Sequence, residues 1–308
     1  MATKRLADKV ECLLVLCLLL FNGSSHAALP SIAVFLSETG RPHLEVLETL
    51  RTELGLSANI VLINGQEAVP KGTVLAISVG VKATETLARS GQPVPVLATL
   101  VPRVSFESLS GSAHGQDRSK YSAVFLDIPP RRQLALLHQV FPERRHLALL
   151  TGSASESQVA QFTTAAQELG MSILAARVHS ESEIYPALQR LLPETDLLLA
   201  LPDPSVYNSH TIQDILLTTY RFRVPMVGFS PAYTKAGALL SMYATPAQIA
   251  RQAADMARAV LAGHALAAAQ YARDMEIATN PHVARSLDIA LESEAALRDR
   301  LRQLEDRP

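Results

Sequence analysis

The stretch Leu197-Leu198-Leu199-Ala200-Leu201-Pro202-Asp203-Pro204-Ser205-Val206-Tyr207-Asn208 decides the fold class. Its first five residues are apolar without alternation, so a strand built from them has both faces covered. Pro202 and Pro204 then end the run, because neither has an N–H to carry a sheet ladder onward. A polar turn with Asp203, Tyr207 and Asn208 follows, and then a helical pattern over 209–222. A buried strand, a turn and a helix make one unit of a parallel-sheet protein built from repeated βα units.

That unit recurs along the chain. Residues 31–36, 59–63, 74–79, 94–100 and 122–126 read as strands. A helix over 42–54 places Leu44, Leu47, Leu50 and Leu54 on one face and stops at Gly55, and a second covers 82–88. The rhythm then restarts with a helix over 130–141 and a strand over 146–150. A helix opened by a Ser155/Gln158 capping pair and closed by Gly170 comes next. A strand over 172–178, a helix over 184–192, the quoted strand and a strand over 225–229 complete this half. The expected fold is therefore α/β, with two Rossmann-like lobes of parallel sheet. They join at Asp127-Ile128-Pro129-Pro130, where two prolines favour an extended crossing. Thr245 caps and Pro246 opens a long helix to Leu261. Met275–Ala278 reads as a short strand that crosses back to complete the first half. These readings assign 28–126 with 244–280 to the first lobe, 127–243 to the second, and 281–308 to a helical tail. The Ser- and Gly-rich stretch 108–120 reads as a loop.

Bulk numbers agree with two lobes, since 308 residues exceed one ordinary core. The 28 Lys and Arg are offset by 29 Asp and Glu, and Trp is absent, which argues against a nucleic-acid surface. At the N-terminus, Lys4, Arg5 and Lys9 precede an apolar run over 12–21, and Ser25 and Ala27 suit a cleavage site after Ala27. This is the pattern of a secretory signal peptide over 1–27. Ten apolar residues are too few to span a membrane that needs about 20. Both cysteines, Cys12 and Cys17, lie within that segment. A soluble, monomeric, periplasmic protein is the expectation.

The chain offers little for catalysis. It has no H-E-x-x-H, Walker or G-x-G-x-x-G motif, and its histidines are scattered without metal-ligand spacing, so neither cofactor nor metal is expected. Gly228-Phe229-Ser230-Pro231-Ala232 imitates a nucleophile elbow. There the residue after the serine must donate a backbone N–H, and Pro231 has none. An enzyme is not expected. What remains is a set of small polar residues at the C-terminal ends of parallel strands, where open α/β sheets bind ligands. These are Ser37 and Thr39, Gly80 and Lys82, Thr99, Thr151, then Asp203, Tyr207 and Asn208, and finally Ser230 and Tyr233. Each has a plainer alternative: turn glycine for Gly80, turn brace for Asp203, helix cap for Asn208, core wedge for Tyr207.

The stretches SAVFLDIPPRRQLALL (122–137), DLLLALPDPSVYN (196–208), ILLTTYRFRVPMVGFSPAYTKAGALLSMYATPAQIARQAA (215–254) and PHVARSLDI (281–289) resemble exported substrate-binding proteins of ABC-type importers. The resemblance covers most of the chain and is weaker before Ser122. It implies a type I periplasmic-binding fold that closes on a small molecule and passes it to an inner-membrane permease. It also implies a cleft wall that includes Asp203 and Ser230, faced by Ser37, Gly80 and Thr99. Relatives that hold amino acids often carry an acidic residue after the last strand of the second lobe, where this chain has Ser230-Pro231. A sensing or accessory binding protein without its own transporter is the alternative.

Overall fold

The computed structural model describes residues 29–63, 68–91, 93–112 and 118–305. The expected signal peptide and residues 113–117 of the expected loop lie outside the described residues. Among the described residues, the chain forms two six-stranded sheets. The first holds β1 (Ser31–Leu36), β2 (Asn59–Ile63), β3 (Thr73–Val79), β4 (Val96–Val101) and β5 (Tyr121–Phe125). The second holds β6 (His146–Thr151), β7 (Ser172–Arg177), β8 (Leu197–Leu199), β9 (Met226–Gly228) and β10 (Leu240–Tyr243). Each has the same parallel order: β2-β1-β3-β4-β5 in one and β7-β6-β8-β9-β10 in the other. The two halves are thus one topology built twice, with the order reversing beside β1 and β6.

Strand composition explains the layering. Ile32–Phe35 of β1 and Leu197–Leu199 of β8 are buried throughout, as non-alternating apolar runs require when helices cover both faces. In the first lobe these helices are α1 (Arg41–Leu54), α2 (Val81–Ser90) and α3 (Arg103–Ser112). The second lobe has α4 (Pro130–Val140), α5 (Val159–Glu168), α6 (Ile184–Leu191), α7 (Ile212–Arg221) and α8 (Pro231–Ala236). The long helix α9 (Pro246–Leu261) returns to the first lobe and packs along α1. Its buried face is rich in alanine (Ala250, Ala253, Ala254, Ala257), which lets it approach Val46, Leu47, Leu50 and Leu54 closely. Thr245 opens α9 with a reciprocal capping box: its hydroxyl accepts from Gln248 N at 3.1 Å, and its own N–H donates to Gln248 Oε1 at 2.8 Å.

The chain crosses between the sheets three times: after β5, after β10, and between β11 (Gln270–Tyr271), which pairs with β5, and β12 (Glu276–Thr279). The third crossing corrects the sequence reading. Strand β12 was expected to complete the first half, yet it pairs antiparallel with β10, with Leu240 opposite Thr279 and Tyr243 opposite Glu276. The chain after it, α10 (Pro281–Ser286) and α11 (Glu294–Glu305), stays on that side. Leu297 and Leu301 are buried, and α11 rests on α4 and β12. Three smaller expectations also change. Residues 103–112 are helical where a loop was read from 108 onward. Leu44 is exposed and Val46 takes its place in the core. Ser155 makes no cap, because its hydroxyl is held by Asp203.

Candidate functional site

A cavity of about 610 Å³ opens between the lobes. The start of α1 forms its first-lobe wall, with Arg41, Pro42, His43 and Glu45, joined by Leu100 from the end of β4. Phe229, Ser230, Pro231 and Ala232, leading from β9 into α8, form the opposite wall. The crossing segments supply the floor: Leu126 from the first, and Tyr243, Ala244, Thr245 and Pro246 from the second. The lining is largely apolar, with charge concentrated at Arg41 and Glu45.

Local conformation sets these side chains. At Leu100 the pairing of β4 with β5 shifts register, and its φ is 50°, a left-handed conformation that a leucine adopts at a cost. Helix α1 begins after Gly40, which has no side chain to cap it; Pro42 has no N–H, and His43 N and Leu44 N donate to Gly40 O at 3.0 and 3.1 Å. His43 is mostly enclosed; burial holds its imidazole below the ordinary histidine range, against an opposing pull from Glu38, whose Oε1 is 3.5 Å from Nδ1. Burial also raises the hydroxyl of Tyr243, with Glu276 and Glu294 adding to it and Arg298 opposing.

The structure distributes the sequence candidates unevenly. Ser230 borders the cavity. Ser37 and Gly80 sit behind His43: Ser37 Oγ accepts from Ala83 N at 2.9 Å, and a Cβ on Gly80 would lie 2.6 Å from Ser37 Oγ and 2.7 Å from His43 Nε2. Thr99 and Thr151 are buried in their sheets, donating to Ser78 O at 2.9 Å and Ala176 O at 3.4 Å. Thr39 and Lys82 are exposed. Asn208 and Tyr233 border a separate pocket of about 270 Å³ beside α7 and α8. There Asn208 Oδ1 accepts from His210 N and Thr211 N, as a helix-entry brace. Burial pushes the Tyr233 hydroxyl up to about 12.

Asp203 and Tyr207 do not line this cavity, although a cleft wall that includes Asp203 was expected. Asp203 is 1% exposed and its carboxylate is fully occupied. Oδ2 accepts from Gly152 N (3.0 Å), Ser155 N (3.0 Å) and Ser155 Oγ (2.8 Å), and Oδ1 from Ser205 N (3.0 Å) and Ser205 Oγ (2.6 Å). Burial alone would raise its pKa, but the bonds from Ser205, Ser155 and Gly152 together hold it below the usual carboxylate range. A Cβ on Gly152 would stand 2.1 Å from Ser205 Oγ, so this turn packs tightly against the end of β6. Tyr207 belongs to the second-lobe core, its ring edge-on to Phe229 and Tyr233. The space left for a ligand therefore lies toward the crossings. Arg41, His43 and Leu100 went unnoticed in the sequence because an ordinary helix start and strand end carry no motif, and Phe229 was read only as part of the imitation elbow.

Among the described residues, no group of three or more His, Cys, Asp or Glu could hold a metal ion, and no helix is long and apolar enough to cross a membrane. The chain belongs to the ABC transporter substrate binding protein family, whose model matches residues 57–299. The fold recurs in solved structures at low identity. A domain from Streptococcus pneumoniae in complex with L-Trp is 16% identical, with a TM-score of 0.63 over 87% of this chain and 98% of that one. A ligand-free, open substrate-binding protein with adhesive properties from Clostridium difficile is 14% identical, with a TM-score of 0.69 over 86% and 97%. A conserved domain protein from Vibrio cholerae is 16% identical, with a TM-score of 0.62 over 88% and 97%. No curated protein matches the chain by sequence. Family and fold support a solute-binding role, and proteins of this family are in general not enzymes.

Proposed function

We propose that the chain is the exported receptor of an ABC-type importer, which captures a small solute between its lobes and presents it to a membrane permease. The observation that carries this is the inter-lobe cavity. Its volume of about 610 Å³ falls in the range that encloses small molecules, and both lobes and two crossings line it. A solute that touches both walls favours the closed arrangement by its extra contacts there. Leu100, Leu126, Phe229 and Tyr243 suit a solute with a substantial apolar part. Arg41 suits an anionic or polar end. The S. pneumoniae neighbour's L-Trp combines both features and is a sensible first probe. The signal-peptide pattern at 1–27 supports export to the periplasm.

The test is native mass spectrometry of the mature protein, paired with the Ala232→Trp variant. Ala232 is an exposed residue shared by the cleft and the neighbouring pocket beside α7 and α8, so tryptophan adds bulk at the cleft wall without disturbing the core. A retained solute lost in this variant, with unfolding unchanged, is the expected result. Undiminished binding by Ala232→Trp would contradict the proposal.

A further inference from the structure

Leu126 and Phe229 border not only the cleft but also a second space of about 20 Å³, room for about one water molecule. Asp127, Gln158, Gln133 and Met242 are among its other walls. Asp127 lies in the first crossing and is 9% exposed. Its Oδ2 accepts from the backbone N–H of Arg103, but no other residue donates to Oδ1. Gln158 Nε2 is likewise buried without an acceptor. The neighbouring Gln133 is satisfied, since its amide donates to Ile128 O at 2.8 Å. Two residues that carry one orphan acceptor and one orphan donor therefore border a space one water wide, against the cleft wall. Buried polar groups are rarely left so, because each costs stability when unpaired.

We propose that this annex is a subsite for one hydroxyl group of the captured solute, which donates to Asp127 Oδ1 and accepts from Gln158 Nε2. The proposal rests on the cleft being the solute site. A hydroxyl is the organic group of that size that donates and accepts together. A methyl leaves both atoms orphaned. An ammonium sets donors against the Gln158 amide, and a carboxylate is repelled by Asp127. Sites that hydrogen-bond a ligand hydroxyl discriminate strongly against analogues lacking it, because their own buried groups are then left unpaired. The annex would thus set specificity in a cleft whose other walls are mostly apolar.

The test uses three probes that share a carboxylate end and an apolar chain: ω-hydroxyoctanoate, octanoate and ω-aminooctanoate. Calorimetry on the mature protein should show the hydroxy acid binding about ten- to a hundredfold more tightly than octanoate, with the amino acid no tighter than octanoate. In Gln158→Ala, which leaves the crossing intact, the hydroxyl preference should shrink to about threefold or less. Asp127→Ala should behave alike, and the ratio within each variant removes general effects on folding. Equal affinities in the unaltered protein, tighter binding of the amine, no binding of any probe, or a preference that survives Gln158→Ala would overturn the subsite. A natively retained solute without a hydroxyl would also overturn it while leaving the cleft reading standing. That reading fails separately, if Ala232→Trp does not block binding.

Discussion

Replacing Asp203 with alanine should unfold the second lobe more easily and leave solute affinity alone. Three of the donors that Asp203 satisfies are buried: Gly152 N, Ser155 N and Ser155 Oγ. The Ser205 pair is half-exposed and can turn to water. Each buried orphan costs about 1–3 kcal/mol. Ser155 Oγ also stands 3.4 Å from Gly152 N and can partly relieve it. The expected loss is therefore about 3–5 kcal/mol, below the simple sum. At about 2–4 °C per kcal/mol for a chain somewhat smaller than this one, the midpoint falls by about 6 to 20 °C. Thermal unfolding followed by circular dichroism measures the first quantity, and calorimetric titration well below the transition measures the second. A midpoint within about 2 °C of the unaltered protein, together with lost affinity, would show that Asp203 faces the solute and that the hydrogen-bond argument is wrong.

Other outcomes follow from the same geometry. The folded Asp203 carboxyl lies below its unfolded value of about 3.9, so it contributes stability above that pH and the contribution is lost as pH falls through the folded value. Acid unfolding of Asp203→Asn should therefore start from lower stability and depend less on pH. Asp127 has the opposite sign: burial raises its pKa against the Arg103 N–H, so its contribution is present at low pH and is lost as pH rises through the folded value. Asp127→Asn should flatten the stability profile above the ordinary carboxylate range in denaturant titrations. Gly80→Ala places a Cβ against Ser37 and His43 at a φ of +90° and should cost about 1–3 kcal/mol with weakened binding; unchanged affinity would separate that corner from the site. Thr245→Ala removes the cap of α9 and should lower stability by about 1 kcal/mol, read as a lower midpoint in thermal unfolding.

Most of the architecture was legible because parallel strands write themselves as unbroken apolar runs. Ser31–Leu36 and Leu197–Leu199 could be read with no knowledge of their neighbours. The placement of β12 was not legible: a four-residue strand carries no mark of which sheet it joins, and that is settled by its ladder to β10. Helix α3 was hidden by Ser108, Ser110 and Gly111, poor helix formers placed in its second half. The site was the least legible part. Asp203 and Tyr207 have the residue types of a binding site, but side-chain direction decides their use, and both point into the lobe. His43 and Leu100 show the converse, an ordinary helix position and an ordinary strand end that the crossing geometry turns toward the cleft.

The most direct test of a shell that closes on a solute is the distance between its lobes. Lys82→Cys and Ser209→Cys alter exposed positions, one in each lobe, and the sequence has no cysteine after Cys17. Spin labels at these two sites should give a distance distribution that shifts to a shorter, narrower peak when the solute recovered from native protein is added. A distribution that the saturating solute leaves unchanged would contradict the account.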